Sequence, residues 1–298
     1  SHTSFCDGKA PMEAFIAEAV RQGFTSYGVS SHAPLPFRTR WTIDDREQTG
    51  LYLQEFARLK RLYGDRIELY VGLEIDYMDE DQQPANDYFQ SLPLDYRIGS
   101  VHLLHSTQGE IVDIDTKPEV FREHVRLHLG GDLKRVVLAY FDKLMRMIGR
   151  GGFDFIGHAD KISYNVSCCE PNILGQQWYK DKISEYFTFI AEKGAMIEVN
   201  TKTLHRNGFL YPNKEHFGLI RTLGIPVVVN SDARIDQQRT PRGAPAIEGI
   251  RYRCRLAAGA RRMDGSAYRR ISRRPACRES PNLDRPECFE TARMFNLT

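Results

Sequence analysis

Five stretches of this chain are apolar, rich in β-branched and aromatic residues, and end in a side chain able to hold a metal. Residues 24–32, 67–74, 96–102, 153–158 and 225–232 close on His32, Glu74, His102, His158 and Asp232. Between them apolar residues recur at helical spacing, so strand and helix alternate, the pattern of a parallel sheet. In a closed parallel barrel the C-terminal ends of all strands open on one face, where ligands far apart in sequence meet in one pocket. The fold class expected is therefore α/β, with a barrel favoured over an open sheet. A further segment at the start of the chain adds His2 and Asp7.

Strands are expected over residues 24–30, 67–74, 97–102, 153–157, 195–200 and 227–230. Helices are expected over 11–22, 51–63, 82–91, 119–129, 133–148, 178–193 and 214–223, with Gly194 and Gly224 as helix-ending caps where a left-handed backbone costs least. At 298 residues and 41% hydrophobic, the chain is long enough for one barrel of roughly 250 residues. No linker rich in Pro, Gly or Ser interrupts the first 230 residues. Only six strands are visible, and the His2 segment should follow a strand of its own, so the sequence reads as lacking its first strand. The other end changes composition: residues 1–233 hold 15 Arg and 11 Lys, residues 234–298 hold 15 Arg and no Lys, and periodicity fades. The expected division is a barrel over 1–233 and an atypical Arg-rich tail over 234–298. A frame-shifted or disordered tail is preferred to a basic interaction tail, because the arginines do not form like-charge blocks.

A formal net charge of +2 argues against nucleic acid or an anionic membrane as partner. No apolar stretch reaches the roughly 20 residues of a membrane span, and no leader is visible ahead of Ser1. The six cysteines are scattered, with Cys168 and Cys169 adjacent, which fits reduced thiols and a cytoplasmic location. Without a CxxC pair, any metal is expected on nitrogen and oxygen ligands. Several other side chains suit ordinary roles better than chemistry. His105 lies outside its strand; His124 and His128 share a helix face but lack the glutamate of a zinc-protease motif. His205 and His216 have no companions at ligand spacing, and Cys6 has no obvious base beside it.

Hydrolysis of a phosphate monoester at neutral pH needs an activated water and compensation of phosphoryl charge, and two or three divalent ions about 3.5–4 Å apart supply both. Such a cluster needs imidazoles and a few carboxylates, one able to bridge, and His2, Asp7, His32, Glu74, His102, His158 and Asp232 are that mixture. Here the sequence resembles the PHP (polymerase and histidinol phosphatase) superfamily, and within it the histidinol-phosphate phosphatases. The matching stretches are Ser1-His2-Thr3 with Phe5-Cys6-Asp7-Gly8, Ser30-Ser31-His32, Gly72-Leu73-Glu74, Gly99-Ser100-Val101-His102, Gly157-His158-Ala159-Asp160, Glu198-Val199-Asn200-Thr201 and Asn230-Ser231-Asp232-Ala233. They cover residues 1–233 and none of the tail.

The resemblance implies a PHP-type distorted (β/α)7 barrel binding two or three divalent ions, zinc, iron or manganese. It implies that His2, Glu74 and Asp232 hold one ion, that Glu74 bridges to a second held by His102 and His158, and that a third lies between Asp7 and His32. Glu74 and Asp232 would be the catalytic carboxylates. Two positions depart from the family: the first His of its opening HxH pair would precede Ser1, and Arg234 stands where its final ligand His belongs. Arginine keeps its proton and cannot ligate, so the third site is reduced to Asp7 and His32. Lys161 is expected as a phosphate contact against a solvated loop lysine, and Arg206 as a second cation against a surface arginine. Glu198 and Asn200 would meet an imidazole-and-amine substrate or support the metal ligands. The implied reaction is hydrolysis of L-histidinol phosphate in histidine biosynthesis. The rivals are a PHP phosphoesterase acting on another small phosphate or a nucleic-acid end, and an impaired metal-binding remnant. The partner expected is a small phosphorylated substrate, with oligomeric state left open.

Overall fold

A computed structural model describes residues 1–232. The first helix and strand, α1 (Met12–Arg21) and β1 (Ser26–His32), lead into α2 (Arg46–Tyr63) and β2 (Glu68–Asp76). After the short α3 (Asp87–Ser91) come β3 (Tyr96–Ser100) and a hairpin of β4 (Leu103–His105) and β5 (Ile111–Asp113), then α4 (Pro118–Leu127) and α5 (Leu133–Arg150). The chain continues through β6 (Phe155–Ile156), α6 (Ile162–Cys169), α7 (Gln177–Lys193), β7 (Met196–Asn200), α8 (Leu204–Asn207), α9 (Phe217–Thr222) and β8 (Val227–Asn230). Six strands pair in parallel in the order β1-β2-β3-β6-β7-β8, giving the curled α/β barrel sheet that the alternation predicts. The hairpin is antiparallel and separate. Residues 234–298, the expected tail, and Arg234 with them, lie outside the described residues.

The sheet owes its two faces to the period of two along each strand. In β2, Leu69, Val71, Leu73 and Ile75 join the apolar cluster under α1 and α2. Tyr70, Gly72, Glu74 and Asp76 therefore point to the opposite, inner face. Nearly every residue of β2 is buried, as expected of a parallel strand covered on both sides. Gly72 is required there, because a Cβ would lie 2.5 Å from the Tyr96 ring. Tyr96 reaches across β2 to donate from its hydroxyl to Val29 O at 2.9 Å, tying three strands together.

The helices form where the pattern places them. In α5, Val136, Val137, Tyr140, Phe141, Leu144, Met147 and Ile148 recur at helical spacing, all buried in the larger apolar cluster. Asp132 caps its first turn by accepting from Arg135 N, and Asp45 does the same for α2 from Gln48 N. Gly194 and Gly224 take positive φ, +63° and +66°, as caps require.

Several elements differ from the expectation. The helix expected over 82–91 shrinks to α3, because the Asp79 carboxylate captures the N–H groups of Asp81 and Gln82 and Pro84 interrupts the turn. The strand expected over 153–157 is only Phe155–Ile156. The β4/β5 hairpin and α6 were not anticipated. Residues 1–3 run beside β1, with Ser1 O accepting from Ser30 N and Thr3 Oγ1 bonded to Ser31 Oγ at 3.2 Å.

Candidate metal centre

All the expected ligands converge where the strands end. Register places His32, the last residue of β1, opposite Glu74 in β2, and the parallel order brings His102, His158 and Asp232 to the same end. Glu74 sits at the middle with its two oxygens turned to different partners. Oε1 lies 2.9 Å from His158 Nε2 and 3.5 Å from His102 Nε2. Oε2 lies 3.5 Å from His32 Nδ1 and 3.8 Å from His2 Nε2. His2 Nε2 is 2.5 Å from Asp232 Oδ1, and its Nδ1 is 3.6 Å from Asp7 Oδ1.

Six of the seven residues thus fall into two groups, Glu74, His102 and His158 on one side and His2, Asp7 and His32 on the other, while Asp232 meets His2. Each of these is buried except Asp7, which is half-buried. His158 and Asp232 adopt positive φ, +27° and +47°, uncommon for residues other than glycine and frequent where a site imposes the backbone.

Supporting side chains fix the candidate ligands. Asp76 was not singled out from the sequence, yet it accepts from His102 N at 2.8 Å and stands 3.0 Å from His102 Nδ1. A carboxylate there makes Nδ1 the protonated nitrogen, so the Nε2 electron pair points at His158 and Glu74. Two residues apart on one strand, Glu74 and Asp76 share the inner face, which was the available signal. Ser100, also unforeseen, donates to Glu74 Oε1 at 2.7 Å. Glu198 accepts from His158 N at 2.8 Å, from Asn200 Nδ2 at 3.0 Å and from Asn230 Nδ2 at 2.8 Å. Its hydrogen bonds therefore run to the scaffold of the ligands. Asn200 also approaches Asp232 Oδ2 at 3.5 Å. Trp41, half-buried, packs edge-on against the rings of His32 and His102, with centroids at 4.9 and 5.6 Å.

The donor set suits cations. His102 Nε2 and His158 Nε2 are 3.0 Å apart, and His32 Nδ1 is buried with no hydrogen-bond partner among the described residues. Two imidazole electron pairs and a carboxylate oxygen facing one another repel unless a proton or a metal ion lies between them. Burial alone would lower the His102 pKa, but Asp76 and then Glu74 raise it to about 10. Burial is likewise overcome at His2, where Asp232 raises the value to about 9. Burial would push Glu74 up, and His32, His158 and His102 hold it well below the usual carboxylate range. A proton and a metal thus compete for the same electron pairs.

The cations expected around the centre divide. Lys161 is buried, not solvated, 3.0 Å from Asp115 Oδ1 and 4.9 Å above the Tyr211 ring. Arg206 is exposed on α8. Lys202, missed in the sequence, reaches Asp232 Oδ2 at 2.6 Å. Of the other histidines weighed in the sequence, the side chain of His205 lies outside what the structure describes. His105 is exposed at the end of β4, His124 Nδ1 lies 2.8 Å from Asp113 O, and His128 approaches Glu110. His216 lies 3.8 Å from Asp160. Cys6 corrects the expectation that no base stands nearby, since its Sγ is 3.7 Å from His2 Nδ1, a proximity that only folding creates. Among the described residues Cys6, Cys168 and Cys169 are free thiols, and no helix is long and apolar enough to cross a membrane.

Comparison with known proteins gives concordant matches. The PHP domain profile matches residues 1–202. Histidinol-phosphatase of Bacillus subtilis is 25% identical over 248 residues, covering 78% of this chain and 91% of that protein. The Schizosaccharomyces pombe protein named "Probable histidinol-phosphatase" is 26% identical over 247 residues, 78% of each chain. Among solved structures, a Listeria monocytogenes protein bearing the histidinol phosphatase name superposes with a TM-score of 0.68 at 23% identity, over 76% of this chain and 91% of its own. Histidinol phosphate phosphatase of Lactococcus lactis, solved with zinc, L-histidinol and phosphate, gives a TM-score of 0.54 at 17% identity, over 78% of this chain and 83% of its own.

Proposed function

Because the chain belongs to the PHP domain family, we propose that it is a metal-dependent phosphoric monoester hydrolase that converts L-histidinol phosphate to L-histidinol and phosphate, a step of histidine biosynthesis. The observation that carries this reading is Glu74, whose two oxygens face separate imidazole pairs within 3.8 Å. A carboxylate so placed is suited to bridge two ions. The substrate is supported by the names of the relatives and by the ligands of the Lactococcus lactis protein.

His102, His158 and Glu74 Oε1 would hold one ion, and Glu74 Oε2, His2 and Asp232 a second. Asp7 and His32 would contribute to a third. When bound, two or three ions of zinc, iron or manganese supply activation of water and neutralisation of phosphoryl charge. Asp76 keeps His102 in the ligating tautomer, and Glu198 holds the backbone of His158. Lys161 and Lys202 bring ammonium groups to the phosphate, Lys202 taking the place assigned to exposed Arg206. The cytoplasm, with its reduced thiols, is the location this reading favours. Incubating the metal-reconstituted chain with L-histidinol phosphate should release inorganic phosphate. No release with zinc, manganese or iron present would refute the proposal.

A further inference from the structure

Asp115 borders the centre without a part in the chemistry described so far. Ile114 N–H donates to His102 O at 2.9 Å, so the chain leaving β5 is pinned to the strand end that carries His102, and Asp115 comes next. Its Oδ1 is 3.0 Å from Lys161 Nζ, yet the side chain of Asp115 is 35% exposed and that of Lys161 only 9%. The carboxylate is thus the member of the pair that meets an incoming molecule.

An anion in this place has a cost for any phosphomonoester. Lys161 is partly neutralised before substrate arrives, and a phosphate drawn to Lys161 finds a like charge one ion pair away. A substrate with an ammonium group on the carbon next to the ester carbon removes both penalties, because phosphate and ammonium replace the two partners of the ion pair. Resting on the hydrolase reading above, we infer that Asp115 is a specificity-determining residue that selects phosphomonoesters carrying such an ammonium group, which it binds while Lys161 takes the phosphate. The β4/β5 hairpin is then the element that delivers substrate selection to the centre.

The test compares kcat/KM for L-histidinol phosphate and for 3-(imidazol-4-yl)propyl phosphate, which lacks only the amine, using the full metal-reconstituted chain. The wild type should prefer the amine-bearing ester by about tenfold or more, since a site built for a polar group rejects the analogue without it. Asp115→Asn should bring that ratio close to one, with KM rising for the first ester and falling for the second. Asp115→Ser serves where the Asn variant does not fold. A wild type that cleaves both esters equally, or a variant that keeps the wild-type ratio, overturns the role of Asp115 alone. A wild type that cleaves neither overturns the hydrolase reading as well.

Discussion

Asp76 shows how much of this centre depends on a residue that would touch no ion. It is nearly fully buried, and its whole hydrogen-bonding capacity turns toward the backbone and ring of His102. Removing the carboxylate frees the ring to rotate and weakens Nε2 as a donor. Asp76→Asn should therefore lower metal affinity or turnover about 10–100-fold, with the fold intact by circular dichroism; unchanged metal affinity and turnover would remove Asp76 from this role. Asp76 lay beyond the strand expected to end at Glu74, and its place two residues further along the inner face does not separate a support from a ligand. His32, Glu74, His102, His158 and Asp232, proposed as ligands, were legible because each ends a β-rich run. Lys202 and Asp115 were not, since their places depend on loops that bring distant segments together.

At the scale of elements, α5 carries a buried ammonium group that the apolar pattern alone would not reveal. Lys143 is 7% exposed and its Nζ donates to Leu103 O at 2.8 Å, holding the helix to the first residue of β4. Burial lowers its pKa to about 8, against the pull of Asp76 and Asp79. A lysine whose folded pKa is depressed destabilises the fold while it is charged, so the penalty is complete below pH 8 and disappears as pH rises toward the ordinary lysine value. Relative to Lys143→Met, the wild type should gain stability between pH 8 and 10 in denaturant titrations; a difference independent of pH would contradict the burial of a charged group here. The long helices and all six parallel strands could be read from periodicity. The hairpin could not, because β4 and β5 are three residues each and follow directly on the strand expected over 97–102.

For the molecule as a whole, the parallel sheet explains why side chains separated by most of the described chain act together. Each strand contributes one or two inner-face residues at its C-terminal end, and helices packed on the outer face hold the strands in register. The result is a buried, ligand-rich pocket whose charge balance changes with what occupies it. At its middle stands Glu74, proposed to bridge two ions. The most direct test is elemental analysis of metal per chain in the wild type and in Glu74→Gln, measured alongside phosphate release from L-histidinol phosphate. The account predicts at least two divalent ions per wild-type chain, with loss of both an ion and turnover in the variant, because an amide cannot offset two adjacent metal charges. A wild type holding one ion or none, or a variant that keeps wild-type metal content and turnover, would contradict it.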